Sequence, residues 1–259
     1  GLGLSPYELY RNLSGTDKTA FIDKVRSLDA IGIDDLAILF DDTRGDVPEL
    51  AAREAEIVHM ALAHTRASRV LMCRFSAIWA LDRSSAVMRA GLRTTVQDLG
   101  RRLDPRVGVY WTGEEICARE FSPGHLARVA EALQRKPTLW DNYPVNDGPL
   151  MSRFLHLRGF TGRPSLNAAH IAAHAINPAL QPHLSLIPAA TLAASYREGN
   201  AYCYMSAFQA AVRALAGADL ADMLEPPSKT EMRIGQSLPT PEPTVRAGSR
   251  LPLVLGGLG

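Results

Sequence analysis

The sequence predicts an α/β protein built on a parallel sheet, and three observations carry that expectation. Short apolar runs alternate with longer stretches of helical spacing, the pattern that repeated strand–helix units leave in a sequence. The chain has 259 residues, 46% of them hydrophobic, enough to bury one large core. The apolar runs also end alike, in an aromatic residue followed closely by carboxylate or amide side chains.

In chain order, the N-terminus reads Gly1-Leu2-Gly3-Leu4-Ser5-Pro6 without a Met, so an N-terminal truncation is expected. Leu36 to Phe40 is the first expected strand, five apolar residues ending at the adjacent pair Asp41 and Asp42. Pro48 to Ala67 places Leu50, Ile57, Met60, Ala61 and His64 on one helix face. Arg69 to Cys73, Val107 to Trp111 and Thr138 to Trp140 read as further strands. Between the last two, Ser122 and Pro123 are an N-cap and a first helical residue, opening a helix through Leu126, Val129, Ala130 and Leu133. After Pro149 the pattern predicts helices without clear strands: about Leu166 to Ala175, Pro188 to Tyr196 and Met205 to Leu215. From Pro226 to Gly259 the chain is rich in Pro and Gly with little periodicity, and an irregular tail is expected.

Composition narrows the function. Net charge is +1, with 28 Lys and Arg against 27 Asp and Glu and no basic block, so a nucleic-acid or anionic-membrane partner is not expected. No apolar run approaches a membrane span and no leader pattern opens the chain, which places it in the cytoplasm on this reading. Cys73, Cys117 and Cys203 share no metal-ligand spacing and read as small apolar fillers in a reducing compartment. His170 and His174 stand four apart, but Ile171 sits where a zinc protease needs its Glu, so they read as core or surface histidines. No cofactor or metal is expected, and oligomeric state is left open. A phosphotransferase using Asp41 would want a second Asp where Thr43 stands, and no Gly-rich phosphate loop follows.

The strand ends "LFDDTRGD", "VYWTGEE" and "LWDNYPVND" would meet at one face of a parallel sheet, where ligands bind. One such ending alone could be a helix N-cap; three together suit a neutral sugar, whose C–H patches lie on rings and whose hydroxyls bind Asp and Asn. The Asp41–Asp42 pair adds acid–base chemistry. Close like charges push one pKa up, so one carboxyl can stay protonated as an acid beside an anionic neighbour. Consecutive residues cannot readily flank a glycosidic bond as an ordinary retaining pair does. A 2-acetamido oxygen on the substrate itself would serve as nucleophile.

These residues resemble a known family. "AILFDD", "VYWTGEEICAREFSPGHLARVAEALQRKPTLWDNYPVND" and the later "INP" are similar to the catalytic domain of family 84 glycoside hydrolases, the β-N-acetylglucosaminidases that include protein O-GlcNAcase, in a bacterial form. The resemblance spans about Gly1 to Ala221. It implies a (β/α)8 TIM barrel and retaining, substrate-assisted hydrolysis through an oxazoline, acting on a glycan or glycoprotein that carries N-acetylglucosamine. By the same resemblance Asp41 orients the acetamido group and Asp42 is the acid and then the base. Asn142 lies near the acetamido group, Trp140 forms an aromatic wall, and Asp147 and Asn177 bind sugar hydroxyls. The expected organisation is a partial barrel over 1–185, C-terminal helices over 186–225 and the tail over 226–259.

Two departures qualify this. The family's first two strands would precede Gly1, and the tyrosine expected shortly after Cys73 is missing, with Phe75 to Val96 reading as foreign to the family until the match resumes at Gln97. A chain lacking both is expected to have little or no hydrolase activity as it stands. The rival reading is a sugar-binding barrel fragment that cannot turn over.

Overall fold

In the computed structural model of the chain, the described residues are 1–40, 47–73, 96–149, 151–217 and 245–246. They form a parallel α/β half-barrel with flanking helices. Strands β1 (Leu2–Leu4), β2 (Asp35–Leu39), β3 (Arg69–Cys73), β4 (Gly108–Trp111), β5 (Thr138–Asp141) and β7 (Ala173–Ile176) lie in the order β1-β2-β3-β4-β5-β7. Each neighbouring pair from β1 to β5 is parallel, with Leu36 opposite Val70 and Tyr110 opposite Thr138 in the ladder. Parallel pairing brings the C-terminal ends of these strands to one edge of the sheet. A second, antiparallel pair joins β6 (Phe154–Leu155) to β8 (Val245–Arg246).

Helices α1 (Gly15–Asp29), α2 (Leu50–His64) and α3 (Pro123–Leu133) accompany the sheet, and α4 (Pro182–Glu198) and α5 (Tyr204–Ala216) pack together. The chain divides into two compact units, Gly1–Asp141 with Gly162–Ala175, and Asn142–Thr161 with Ile176–Gly259. The first has an aliphatic core in which Leu36, Ile38, Val70 and Met72 from the strands meet Ile57, Val58 and Ala61 of α2. The second is built around Leu157, Ile187, Phe208, Ala211 and Val212. At about 1.5–3 kcal/mol for each large side chain taken from water, either cluster is a real source of stability.

Local chemistry explains the elements that the sequence predicted. Ser122 caps α3 by accepting from the His125 N–H, and Pro123 occupies the first turn, where its missing N–H costs nothing. Leu126, Val129 and Leu133 then form its buried stripe. The expected strands β2 to β5 appear within a residue at each end. At the base of β4, Arg135 donates to the carbonyls of Gly100, Leu103, Asp104 and Val107 and so ties the helical residues 96–102 to the strand. Gly100 packs so tightly here that a Cβ would lie 2.5 Å from the Ala132 carbonyl oxygen.

Several expectations are overturned. Leu166 to Ala175 is not a helix: Ser165–Ala169 is one 3-10 stretch, and the chain then enters the sheet as β7. Ala-rich spacing favours a helix locally, but pairing with the sheet overrides so weak a preference. Together with β6, this strand also corrects the reading of a strand-free region beyond Pro149. Pro188 does not open a helix; α4 begins at Pro182, and Pro188 is buried inside it with its carbonyl accepting from the Thr191 hydroxyl. Only Cys73 of the three cysteines is a buried filler, since Cys117 and Cys203 are exposed thiols. Hydrogen bonds from the Ser206 N–H and hydroxyl and the Met205 N–H, at the start of α5, hold the Cys203 thiol below its usual pKa. Strand β1 and helix α1 are additional to the expectation.

Candidate active site

Of the expected site residues, Trp140 lies in β5, Asn142 and Asn177 directly follow β5 and β7, and Asp147 comes a few residues after Asn142. Asp41 and Asp42, expected as the catalytic pair, lie outside the described residues. Phe40, which precedes them, still donates its N–H to the Cys73 carbonyl at 2.8 Å, so β2 stays in register up to that point. The expectations about Phe75 to Val96 fall outside as well, apart from Val96, which is buried in the first core.

Strand β4 ends at Trp111 and runs into Thr112-Gly113-Glu114. Gly113 has φ +105°, and a Cβ there would meet Ala118 and Phe121 at 2.7 and 2.8 Å, so the turn demands glycine. The Trp111 indole N–H donates to His125 Nε2 at 3.0 Å, while His125 Nδ1 lies 3.3 Å from a Glu114 carboxylate oxygen. An indole nitrogen only donates, so Nε2 must be the bare nitrogen and Nδ1 carries the hydrogen. Burial pushes the His125 pKa down, and nearby Arg128 adds to this; Glu114 pulls the other way without reversing it.

Strand β5 ends in Trp140 and Asp141. Trp140 is half-buried and meets Tyr110 edge-on with ring centres 5.2 Å apart. Asp141 is fully buried and accepts a two-pronged pair of hydrogen bonds from Arg163, at 2.7 and 2.8 Å. His174 Nε2, from β7, donates to the same carboxylate at 3.1 Å. Arg163 also donates to the Ala118 and Arg119 carbonyls, and its guanidinium stands 5.0 Å from the Phe121 ring centre. Burial alone would raise the Asp141 pKa; the His174 and Arg163 hydrogen bonds and charges outweigh it and hold the carboxyl below its usual value.

Within the second unit, Asn142 follows β5 directly and Asn177 follows β7 directly. Asn177 Nδ2 donates to Asn142 Oδ1 at 3.1 Å, so the structure brings these two expected sugar contacts together. Asp147 is exposed a few residues on, with no hydrogen bond to Asn177 among the described residues. Its neighbour Asn146 is buried and fully used: Nδ2 donates to the Phe154 carbonyl and Gln181 Oε1, and Oδ1 accepts from the Leu180 N–H at 2.8 Å. His156 is buried too, stacked on Tyr143, with Nδ1 against the Pro144 and Val145 carbonyls and Nε2 without a partner among the described residues. Burial holds its pKa down, against the two carbonyls that raise it.

Sequence reading missed Asp141, Asn146 and Arg163, while His174, expected as a core or surface histidine, is buried and bonded to Asp141. The signal for the first two was in "WDNYPVND", where each polar doublet has one buried and one accessible member. Nothing local marked Arg163, and nothing local marked His174 as a partner of Asp141. Among the described residues no three His, Cys, Asp or Glu side chains converge as a metal site would require, and no helix is long and apolar enough to cross a membrane.

These features define a class of protein: a parallel α/β fold that offers amide and aromatic groups where its strands end, the edge that binds ligands in such folds. The beta-N-acetylglucosaminidase family model matches residues 3–226, and the chain belongs to that family of glycoside hydrolases. Protein O-GlcNAcase of Rattus norvegicus and that of Mus musculus are each 26% identical over 102 residues, 39% of this chain and 11% of theirs. Among solved structures, a mutant of the Thermobaculum terrenum O-GlcNAc hydrolase superposes with a TM-score of 0.71 at 26% identity, covering 85% of this chain and 48% of that one. CpGH84B superposes at 0.70 with 18% identity, covering 90% and 43%, and at that identity it speaks for the fold alone. The chain thus spans about half the length of the solved relatives and about a tenth of the rodent enzymes.

Proposed function

We propose that the chain is catalytic-domain sequence of a retaining β-N-acetylglucosaminidase that removes terminal β-linked N-acetylglucosamine from a glycan or glycoprotein. The family match over residues 3–226 carries this reading, and the hydrogen-bonded Asn142–Asn177 pair beyond β5 and β7 supports it. The fold proposed for the complete protein is a closed (β/α)8 barrel, with 1–185 as its partial barrel, 186–225 as C-terminal helices and 226–259 as a tail.

In this mechanism the substrate's acetamido oxygen attacks C1 while Asp42 gives its proton to the departing glycosidic oxygen. Asp41 orients the acetamido N–H and steadies the cationic oxazolinium. Asp42, now a carboxylate, takes a proton from water as that water attacks C1 and reopens the ring. Asn142 holds the acetamido region, Asp147 and Asn177 bind hydroxyls, and Trp140 covers a C–H face.

The test is turnover of a fluorogenic N-acetylglucosaminide by the complete protein beside its Asp41→Asn, Asp42→Asn double variant, residues 1–259 by themselves being expected to turn over little or none. Turnover well above that control supports the reading. In that complete form, binding of an N-acetylglucosamine-derived inhibitor without turnover would replace it by a sugar-binding barrel, and neither binding nor turnover would remove it. In an active form, Asp42→Asn should spare activated aryl glycosides more than poor leaving groups, and Asp41→Asn should impair both.

A further inference from the structure

We infer that His174 is a positioning residue for the Asn142–Asn177 pair, acting through Asp141; the inference rests on the sugar-binding role proposed for those asparagines. Asp141 is the last residue of β5, and His174 lies in β7, the neighbouring strand of the sheet. Their hydrogen bond, at 3.1 Å between side chains 1% and 5% exposed, ties the end of one strand to the other. Asn142 is the next residue after Asp141, and Asn177 is the next after β7. The clamp thus sits one residue before one asparagine and three before the other.

Charge balance does not account for His174. Arg163 already faces Asp141 with a two-pronged contact and is itself anchored to the Ala118 and Arg119 carbonyls. What the histidine adds is the link across the strands. Phe121 packs edge-on to its ring with centres 5.7 Å apart, which restrains the imidazole in that orientation. Asn177 Nδ2 and Asn142 Oδ1 must stay within hydrogen-bond reach for both side chains to meet one sugar ring, and misplacement by about 1 Å can cost about 10²-fold in rate.

His174→Leu removes the donor at similar volume; His174→Gln keeps an amide N–H that can reach Asp141. Two readouts in the 259-residue chain separate positioning from bulk stability. The first is the NMR signature of the Asn177 side-chain amide, shifted and slowly exchanging in the parent; it should collapse towards that of a solvated amide in His174→Leu and return in His174→Gln. The second is calorimetric affinity for a thiazoline analogue of the oxazoline, about tenfold weaker or more in His174→Leu and within about threefold of the parent in His174→Gln. A His174→Leu variant with the parent's amide signature and affinity overturns the inference, as do Leu and Gln variants equally impaired in both. If His174→Leu loses its cooperative melt, His174→Asn, too short to reach Asp141, replaces it with the same expectations. A parent that binds no analogue would sink the proposed function, while the amide signature would still decide the role of His174.

Discussion

Two buried polar tethers, one in each unit, do similar mechanical work with different chemistry. In the first unit Asp141 is a carboxylate held by Arg163 and by His174 of β7. In the second, Asn146 is a neutral amide held by the Phe154 carbonyl, the Leu180 N–H and Gln181. Each is the buried member of a polar doublet whose other member, Asn142 or Asp147, is a proposed sugar contact. Asp141 ties β5 to β7 within the first unit, and Asn146 ties its own segment to Phe154, Leu180 and Gln181 within the second. Charge is tolerable only at the first of these two positions. A buried carboxylate survives only with its counter-charge in place, so losing one partner strands the other. An amide meets the same geometric need with weaker bonds and no titration.

The largest effect should come from Asp141→Ala. It leaves the Arg163 guanidinium, 6% exposed, without its counter-ion, and about 3–5 kcal/mol of stability should be lost. Chemical denaturation measures this, and a loss under 1 kcal/mol would mean that the clamp is not closed in solution. Asn146→Ala abandons three neutral partners and should cost less, about 1–3 kcal/mol. A cost equal to that of Asp141→Ala would erase the distinction between the tethers.

The comparison sharpens with pH. The Asp141 carboxyl titrates below its usual value when folded, so its stabilisation is complete above the unfolded pKa of about 4 and is lost as pH falls through the lower folded value. His156 works in a higher window. Its folded pKa lies below the unfolded value near 6.5, so the unfolded chain binds protons first and stability falls as pH drops below about 6.5. His125 in the first unit adds a loss of the same sign. Unfolding free energies from denaturant titrations between pH 7 and 5 should therefore decline in the parent, by at most about 1.4 kcal/mol per pH unit per histidine, and decline less in His156→Gln. An unchanged slope in that variant would show that the His156 ring is not buried as a neutral group.

The smallest effect on stability should be that of Asn142→Ala, within about 1 kcal/mol, because the residue is only partly buried. Its effect should appear instead in affinity for the thiazoline analogue. Thermal melting and calorimetry on one sample check both, and an unstable variant with unchanged affinity would reverse the assignment of tether and contact.

The parallel α/β class, strands β2 to β5, the Ser122–Pro123 start of α3 and the family are all legible in the sequence. Each rests on signals a few residues long: an apolar run, a cap, a motif. The sequence also pointed to Asn142 and Asn177, which the fold places in contact. Only the tertiary structure decided that 173–176 is a strand, because an Ala-rich stretch has a slight local preference for helix and enters the sheet by pairing with distant residues. Only the tertiary structure could make His174 and Arg163 partners of Asp141, which lie 33 and 22 residues away along the chain. No local rule encodes such a pairing, since it exists only once burial removes the water that each group would otherwise bind.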